Sequence, residues 1–160
     1  MADERDRDHD GALERLLDRQ AIEDVLVGYA TALDTRDWAA LEAVYLPDAV
    51  AIYDGERFDG LPAIVDICRR SLEPLTSSQH LLGNFAVEVD GDAARSACYL
   101  QAMHYRAGIR GLSTWVMAGT YRDRFVRTAD GWRIAERDLE IAWTDGNSGV
   151  LVLDPEDDRR

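Results

Sequence analysis

Four runs of alternating apolar and polar residues, at about 79–90, 94–107, 112–127 and 131–144, fill the second half of this 160-residue chain. They are separated by DGD at 90–92, the glycine-bearing AGIRG at 107–111 and ADG at 129–131. Alternation at period two sends every second side chain to one face, and short breaks rich in Gly and Asp turn the chain straight back. The runs therefore predict an antiparallel meander of four long strands. A sheet with one apolar face must bury that face against another layer. Its partner has to come from the first half of the chain.

That half reads as helices. Ile22, Val25, Leu26, Tyr29, Ala30 and Leu33 fall at i, i+3, i+4, i+7, i+8 and i+11, the spacing of a helix with one buried face, running from Leu13 to about Leu33. Asp37 is a good N-cap for a second helix, in which Trp38, Leu41, Val44 and Tyr45 repeat the spacing as far as Pro47. Residues 49–54 alternate towards a turn at Asp54 and Gly55, and Pro62 opens a helix through AIVDICRRSL. Helices followed by a long meander indicate an α+β domain whose N-terminal helices pack in a curved, mainly antiparallel sheet. With 46% apolar residues and no internal repeat, the chain is expected to form one domain over 11–153. The polar segments 1–10 and 154–160 carry too little apolar surface to offset the entropy of ordering, and both are expected to fray.

Composition removes several functions. A net charge of −13 repels a phosphate backbone or an anionic bilayer, so neither nucleic acid nor membrane is expected as a partner. The chain has no lysine, which excludes Schiff-base chemistry and a Walker-type loop. Cys68 and Cys98, without CxxC spacing, read as buried free thiols. The N-terminus lacks an apolar h-region and no run approaches the ~20 apolar residues of a membrane span, so a cytoplasmic location is expected.

Against this background a few polar residues stand out. Asp34 closes the first long helix, where the macrodipole disfavours an anion by roughly 0.3–1 kcal/mol. It is an exposed loop acid, a structural partner for Arg36 or Arg137, or an acid that orients a histidine. His80 opens the first long strand, and His104 ends the apolar row Cys98, Leu100 and Ala102 on the second. Imidazole suits proton transfer at neutral pH, although a lone histidine is also a common core residue. On the last strand Ala135, Arg137, Leu139, Ile141 and Trp143 share one face and Glu136, Asp138 and Glu140 the other, making Arg137 the single charge directed inward. Tyr29 sits on the apolar face of the first helix, as a core filler or with its hydroxyl at a rim. Trp115, Met117 and Trp143 are candidate walls of a substrate pocket. A two-histidine, one-carboxylate metal site would draw on Asp34, His80 and His104, but no HxD or HxxE spacing supports one, so no metal or organic cofactor is expected.

The order of helix, LDTRDWAALEAVYLPDAV, short Gly-bearing hairpin, third helix and the sheet from DGDAAR to DGWRIAERDLEIAW resembles the SnoaL-like branch of the nuclear-transport-factor-2-like superfamily over roughly residues 11–145. Within it the chain looks most like the scytalone dehydratase, hexachlorocyclohexane dehydrochlorinase and bile-acid dehydratase group. That resemblance implies a cone-shaped α+β barrel and a cofactor-independent lyase or isomerase acting on a small, apolar, cyclic substrate. It implies an Asp34–His80 dyad that takes a proton from carbon, assisted by His104 and Tyr29, with Arg137 anchoring Asp34 or meeting the leaving group. Leu33 stands where scytalone dehydratase has a tyrosine, so the substrate does not carry over. A polyketide-cyclase or ketosteroid-isomerase-like enzyme with a carboxylate base, or a non-catalytic binding module, shares the same fold. The outer sheet face is expected to pack against another copy, with a trimer favoured over a dimer.

Overall fold

The computed structural model describes residues 2–151, with side chains described from Gly11 onward. The tail at 154–160 lies outside the described residues. Helix α1 runs Ala2–Thr35, farther towards the N-terminus than the apolar spacing required. The backbone of segment 2–10, expected to fray, is helical. All of the apolar stripe faces the core, with Ile22, Leu26, Tyr29, Ala30 and Leu33 buried.

The second helix corrects the sequence reading. It is a six-residue 3-10 helix, Trp38–Ala43, capped by Asp37, whose Oδ1 accepts from the Ala40 N–H at 3.2 Å. Strand β1, Tyr45–Tyr53, starts four residues earlier than expected and carries Pro47 within it. The cause is long-range: the Ile134 N–H donates to Val44 O at 2.8 Å, and Tyr45 pairs with Ile134 in a parallel ladder. No local periodicity encodes a partner nearly ninety residues away.

A two-residue turn at Asp54 and Gly55, with φ of 52° and 85°, joins β1 to β2, Glu56–Asp59. Such a turn needs two positive φ values and matches the twist of the strands it connects. Helix α2, Leu61–Leu72, takes Pro62 in its first turn and buries Ile64, Cys68 and Leu72. Strands β3 (Ser77–Asp90), β4 (Ala93–Tyr105), β5 (Thr114–Thr128) and β6 (Gly131–Gly146) complete the meander close to the expected limits. The sheet order is β2-β1-β6-β5-β4-β3, antiparallel throughout except between β1 and β6. This is a cone-shaped α+β fold, the helices lying within a curved mixed sheet. Among the described residues no helix is long and apolar enough to cross a membrane.

Two extra residues in β6 bend the sheet and change which side chains face inward. Arg124 pairs with Glu136 but Phe125 with Ile134, leaving Ala135 unpaired; Gly119 pairs with Ile141 but Ala118 with Trp143, leaving Ala142 unpaired. Each bulge reverses the parity beyond it. The second requires glycine opposite, because a Cβ at Gly119 would lie 2.4 Å from Glu140 O. Arg137, Leu139 and Ile141 turn inward as expected, whereas Trp143 is turned outward and is 50% exposed. Trp143 is therefore not a pocket wall. At the other end of the sheet, Arg127 grips Asp18 of α1 at 2.6 and 2.7 Å and lies over the Trp132 ring, fixing the helix that carries Asp34.

Candidate active site

Asp34 stands one residue before the end of α1, and His80 is the fourth residue of β3. The Asp34 carboxylate is gripped by three donors. The His80 backbone N–H reaches Oδ2 at 2.9 Å, the Ser78 hydroxyl reaches Oδ1 at 3.0 Å, and His80 Nδ1 lies 2.7 Å from Oδ1. Burial opposes the ionised carboxyl, but the hydrogen bonds from the His80 ring and backbone and from Ser78 outweigh it and hold the Asp34 pKa below its usual value. An ionised carboxylate only accepts, so the proton of a neutral His80 sits on Nδ1 and Nε2 is a bare base.

His80 lines a cavity of about 210 Å³ between α1, α2 and the sheet. Trp115 and Met117 form part of its wall, with Leu33, Ile141 and Leu151. His104 borders it too, with its ring centroid 5.8 Å from that of His80 at an interplanar angle of 89°. The row Cys98, Leu100, Ala102 and His104 is buried as strand parity requires. Burial, reinforced by the neighbouring His80, pushes the His104 pKa down to about 4, so the ring is neutral near pH 7. Its Nδ1 lies 3.3 Å from the Trp115 carbonyl oxygen, an acceptor, which places the proton on Nδ1 and leaves Nε2 as an acceptor.

The low pKa of His104 has a thermodynamic counterpart. Between the ordinary histidine value of 6.5 and about 4, the unfolded chain binds a proton at this position that the folded chain excludes. The folded state should then lose stability as pH falls through that window, by a few kcal/mol at most. Asp34 acts in the same sense only at lower pH, since its stabilisation is complete above its ordinary value of 3.8 and is lost as pH falls through its depressed folded value. Urea titrations at successive pH values are expected to show a steeper decline between pH 6.5 and 4 for the wild type than for His104→Gln. Equal slopes would contradict the assignment of a neutral His104.

Arg137 has a different partner from either expected role. It pairs with Asp123 directly across the β5–β6 ladder, Nε donating to Oδ1 at 2.6 Å and Nη2 to Oδ2 at 3.0 Å, with both side chains 0% exposed. Its guanidinium lies over the rings of Tyr29 and Tyr121, 4.2 and 4.1 Å from their centroids. The pair is thus a charged support beneath the tyrosines that face the cavity, and it touches neither Asp34 nor His80. Tyr29 does reach the cavity, with its hydroxyl 3.3 Å from that of Tyr53.

Residues 14–138 match the family model of the SnoaL-like domain. The chain belongs to the SnoaL-like family. An uncharacterized protein of Mycobacterium tuberculosis is 39% identical over 123 residues, which is 75% of this chain and 82% of that one. Terrestric acid biosynthesis cluster protein E of Penicillium crustosum is 30% identical over 142 residues, covering 85% and 90% of the two chains. Among solved structures, a Novosphingobium aromaticivorans protein described as a scytalone dehydratase superposes with a TM-score of 0.76 at 21% identity, covering 83% of this chain and 89% of that one. A Salmonella enterica protein described as belonging to the nuclear-transport-factor-2-like superfamily superposes with a TM-score of 0.72 at 17% identity, covering 79% of this chain and 92% of that one, and so shares the fold.

Within this SnoaL-like domain the structure adds residues that reasoning from sequence passed over. Tyr53 lines the cavity and bonds to both Tyr29 and Tyr45, its hydroxyl 3.2 Å from the latter. Strand parity was a signal for it, since Ala49, Ala51 and Tyr53 alternate with exposed or half-buried residues along β1. Burial, with the neighbouring tyrosine hydroxyls adding to it, keeps the Tyr29 and Tyr53 phenols well above their ordinary pKa, so they serve as neutral donors. Cys68 is a buried free thiol as expected, but it also borders the cavity; burial raises its pKa to about 11. Ser78 carried no signal, because nothing local shows that β3 lies against the end of α1.

Proposed function

We propose that this chain is a cofactor-independent lyase of the dehydratase type, acting on a small cyclic ketone or related compound that bears a hydroxyl β to an acidic C–H. The observation that carries the reading is the 2.7 Å contact of Asp34 with His80 Nδ1, in a histidine that borders an apolar cavity sized for one small molecule. In this reading His80 Nε2 takes the proton from carbon and Asp34 stabilises the imidazolium that forms. The Tyr29 and Tyr53 hydroxyls bond to the developing enolate oxygen. The imidazolium then returns its proton to the departing hydroxyl, which leaves as water while the C=C bond forms. His104, presenting an acceptor, receives the hydrogen bond of the substrate hydroxyl and so orients it for departure. The resemblance to dehydratases and a dehydrochlorinase supports elimination over cyclisation, and the Penicillium relative is named for a biosynthetic cluster. An isomerase would use the same first step.

The direct test incubates the chain with a panel of cyclic β-hydroxy ketones and follows the ultraviolet absorbance of the conjugated enone. Enone formation by the wild type and its absence with His80→Ala is the expected outcome. Activity that survives His80→Ala but not loss of Asp34 would instead favour a ketosteroid-isomerase-like carboxylate base.

The partner of the outer sheet face is a second copy of this chain, in a trimer. A chain of net charge −13 repels itself, yet the bowl on this face is lined by Arg57, Arg95, Arg122 and Arg124 against only Glu88, Glu136 and Asp138 among exposed charges. Beside it Leu81, Tyr99, Met103 and Trp143 are exposed. Local neutrality next to apolar surface suits self-association. Light scattering that returned the mass of one chain would refute this.

A further inference from the structure

We propose that Arg36 and Ser78 form a relay that positions the Asp34 carboxylate, so that Oδ1 rather than solvent accepts the hydrogen bond from His80 Nδ1–H. The inference rests on the reading of Asp34 and His80 as the catalytic pair, and it extends that pair to two residues that touch no substrate. Arg36 Nη1 donates to Ser78 Oγ at 2.8 Å, and Ser78 Oγ donates in turn to Asp34 Oδ1 at 3.0 Å. A hydroxyl has one proton. With its oxygen accepting from a cation, the Ser78 proton is directed to the carboxylate, and the two bonds polarise one another in the same direction.

The backbone provides an independent reason. Helix α1 ends in a Schellman motif, in which the Asp37 N–H donates to Ala32 O at 3.0 Å and the Arg36 N–H to Leu33 O at 3.3 Å. Arg36 occupies the left-handed position of that motif, with φ of 62°, where glycine is the favoured residue. A side chain is therefore carried at a position that disfavours one. That side chain turns back over the helix end, where Nη1 also donates to Leu33 O. The guanidinium thereby places a positive charge beside an anion that the helix dipole alone would destabilise. His80, two residues from Ser78 on β3, reaches the same carboxylate through both its backbone and its ring. Ser78 and His80 of β3 thus fix the Asp34 carboxylate directly, and Arg36 at the helix end acts on it through Ser78.

Arg36 and Ser78 are positioning residues, and their role can be read without a substrate. The full chain, labelled with 15N, has only three histidines, so the His80 ring is assignable by comparison with His80→Gln. Long-range 1H–15N correlation near pH 7.5 is expected to show wild-type His80 in the Nδ1–H tautomer with a slowly exchanging ring proton. Ser78→Ala should mix the tautomers and speed exchange of that proton by about tenfold, and Ser78→Thr should restore both. Arg36→Gly should give the same loss of tautomer order, while its Tm stays within a few degrees of the wild type, because glycine suits the backbone at that point. That combination separates positioning from scaffolding and also decides the matter if Ser78→Ala fails to fold. Wild-type tautomer and exchange in Ser78→Ala or Arg36→Gly would overturn the relay and leave the pair intact. A wild-type His80 that lacks the Nδ1–H form would overturn the pair itself.

Discussion

Asp123→Ala is expected to destabilise the fold by about 3–5 kcal/mol, the cost of removing one partner from a buried ion pair. In a domain of this size that corresponds to a fall of roughly 10 °C in Tm. The Asp123 and Arg137 side chains are both 0% exposed, and Arg137 Nη1 already has no hydrogen-bond partner among the described residues, so nothing there replaces the lost carboxylate. Desolvation opposes the charge on Arg137, but Asp123 outweighs it and keeps the guanidinium pKa well above normal; without Asp123 only the tyrosine faces remain. The same substitution at Glu136, which pairs with Arg124 on the exposed face, should cost under about 1 kcal/mol. Removing both charges together, as Asp123→Leu with Arg137→Met, should recover most of the loss, since an apolar pair of similar volume often equals a buried ion pair. Urea unfolding followed by tryptophan fluorescence measures all three. An Asp123→Ala loss no larger than that at Glu136 would show that the buried pair is not a support of the fold.

That pair also shows where the sequence stops being legible. The ADG turn pairs Thr128 with Gly131, and unbroken antiparallel register from there would put Asp123 opposite Glu136, two like charges. The bulge at Ala135 shifts the register by one residue and brings Asp123 to Arg137. Inward parity of Arg137 was readable, but its partner depended on a one-residue insertion whose only trace is a pair of like charges in the unshifted register. Trp143 was misread for the same physical reason, since the Ala142 bulge turns it outward. The strands and turns of the meander, by contrast, follow from periodicities and Gly positions that act over a few residues, and the limits of β3 to β6 were legible to within two residues. Tyr45 lies between these cases, its helical spacing being overridden by pairing to Ile134.

Loss of the dyad should have the largest catalytic effect. On the proposed reading His80→Ala removes the base outright, and Asp34→Asn is the more informative change because it keeps shape and size. In the wild type both carboxylate oxygens accept, Oδ2 from the His80 backbone and Oδ1 from Ser78 and the His80 ring. An asparagine has one oxygen and one NH2. If its oxygen takes the His80 backbone N–H, its NH2 faces Nδ1 and forces that nitrogen to accept, which moves the ring proton to Nε2 and abolishes the base. If it turns the other way, its NH2 meets the backbone N–H, two donors in contact. Either orientation also removes the charge that stabilises an imidazolium. A fall in kcat of about 10³–10⁴, or roughly 4–5.5 kcal/mol of barrier, is therefore expected, with KM changed far less because Asp34 lies behind His80 and outside the cavity lining. A fall in kcat matched by a comparable rise in KM would point to a collapsed pocket instead, and near wild-type turnover in a folded Asp34→Asn would remove the dyad from the mechanism altogether.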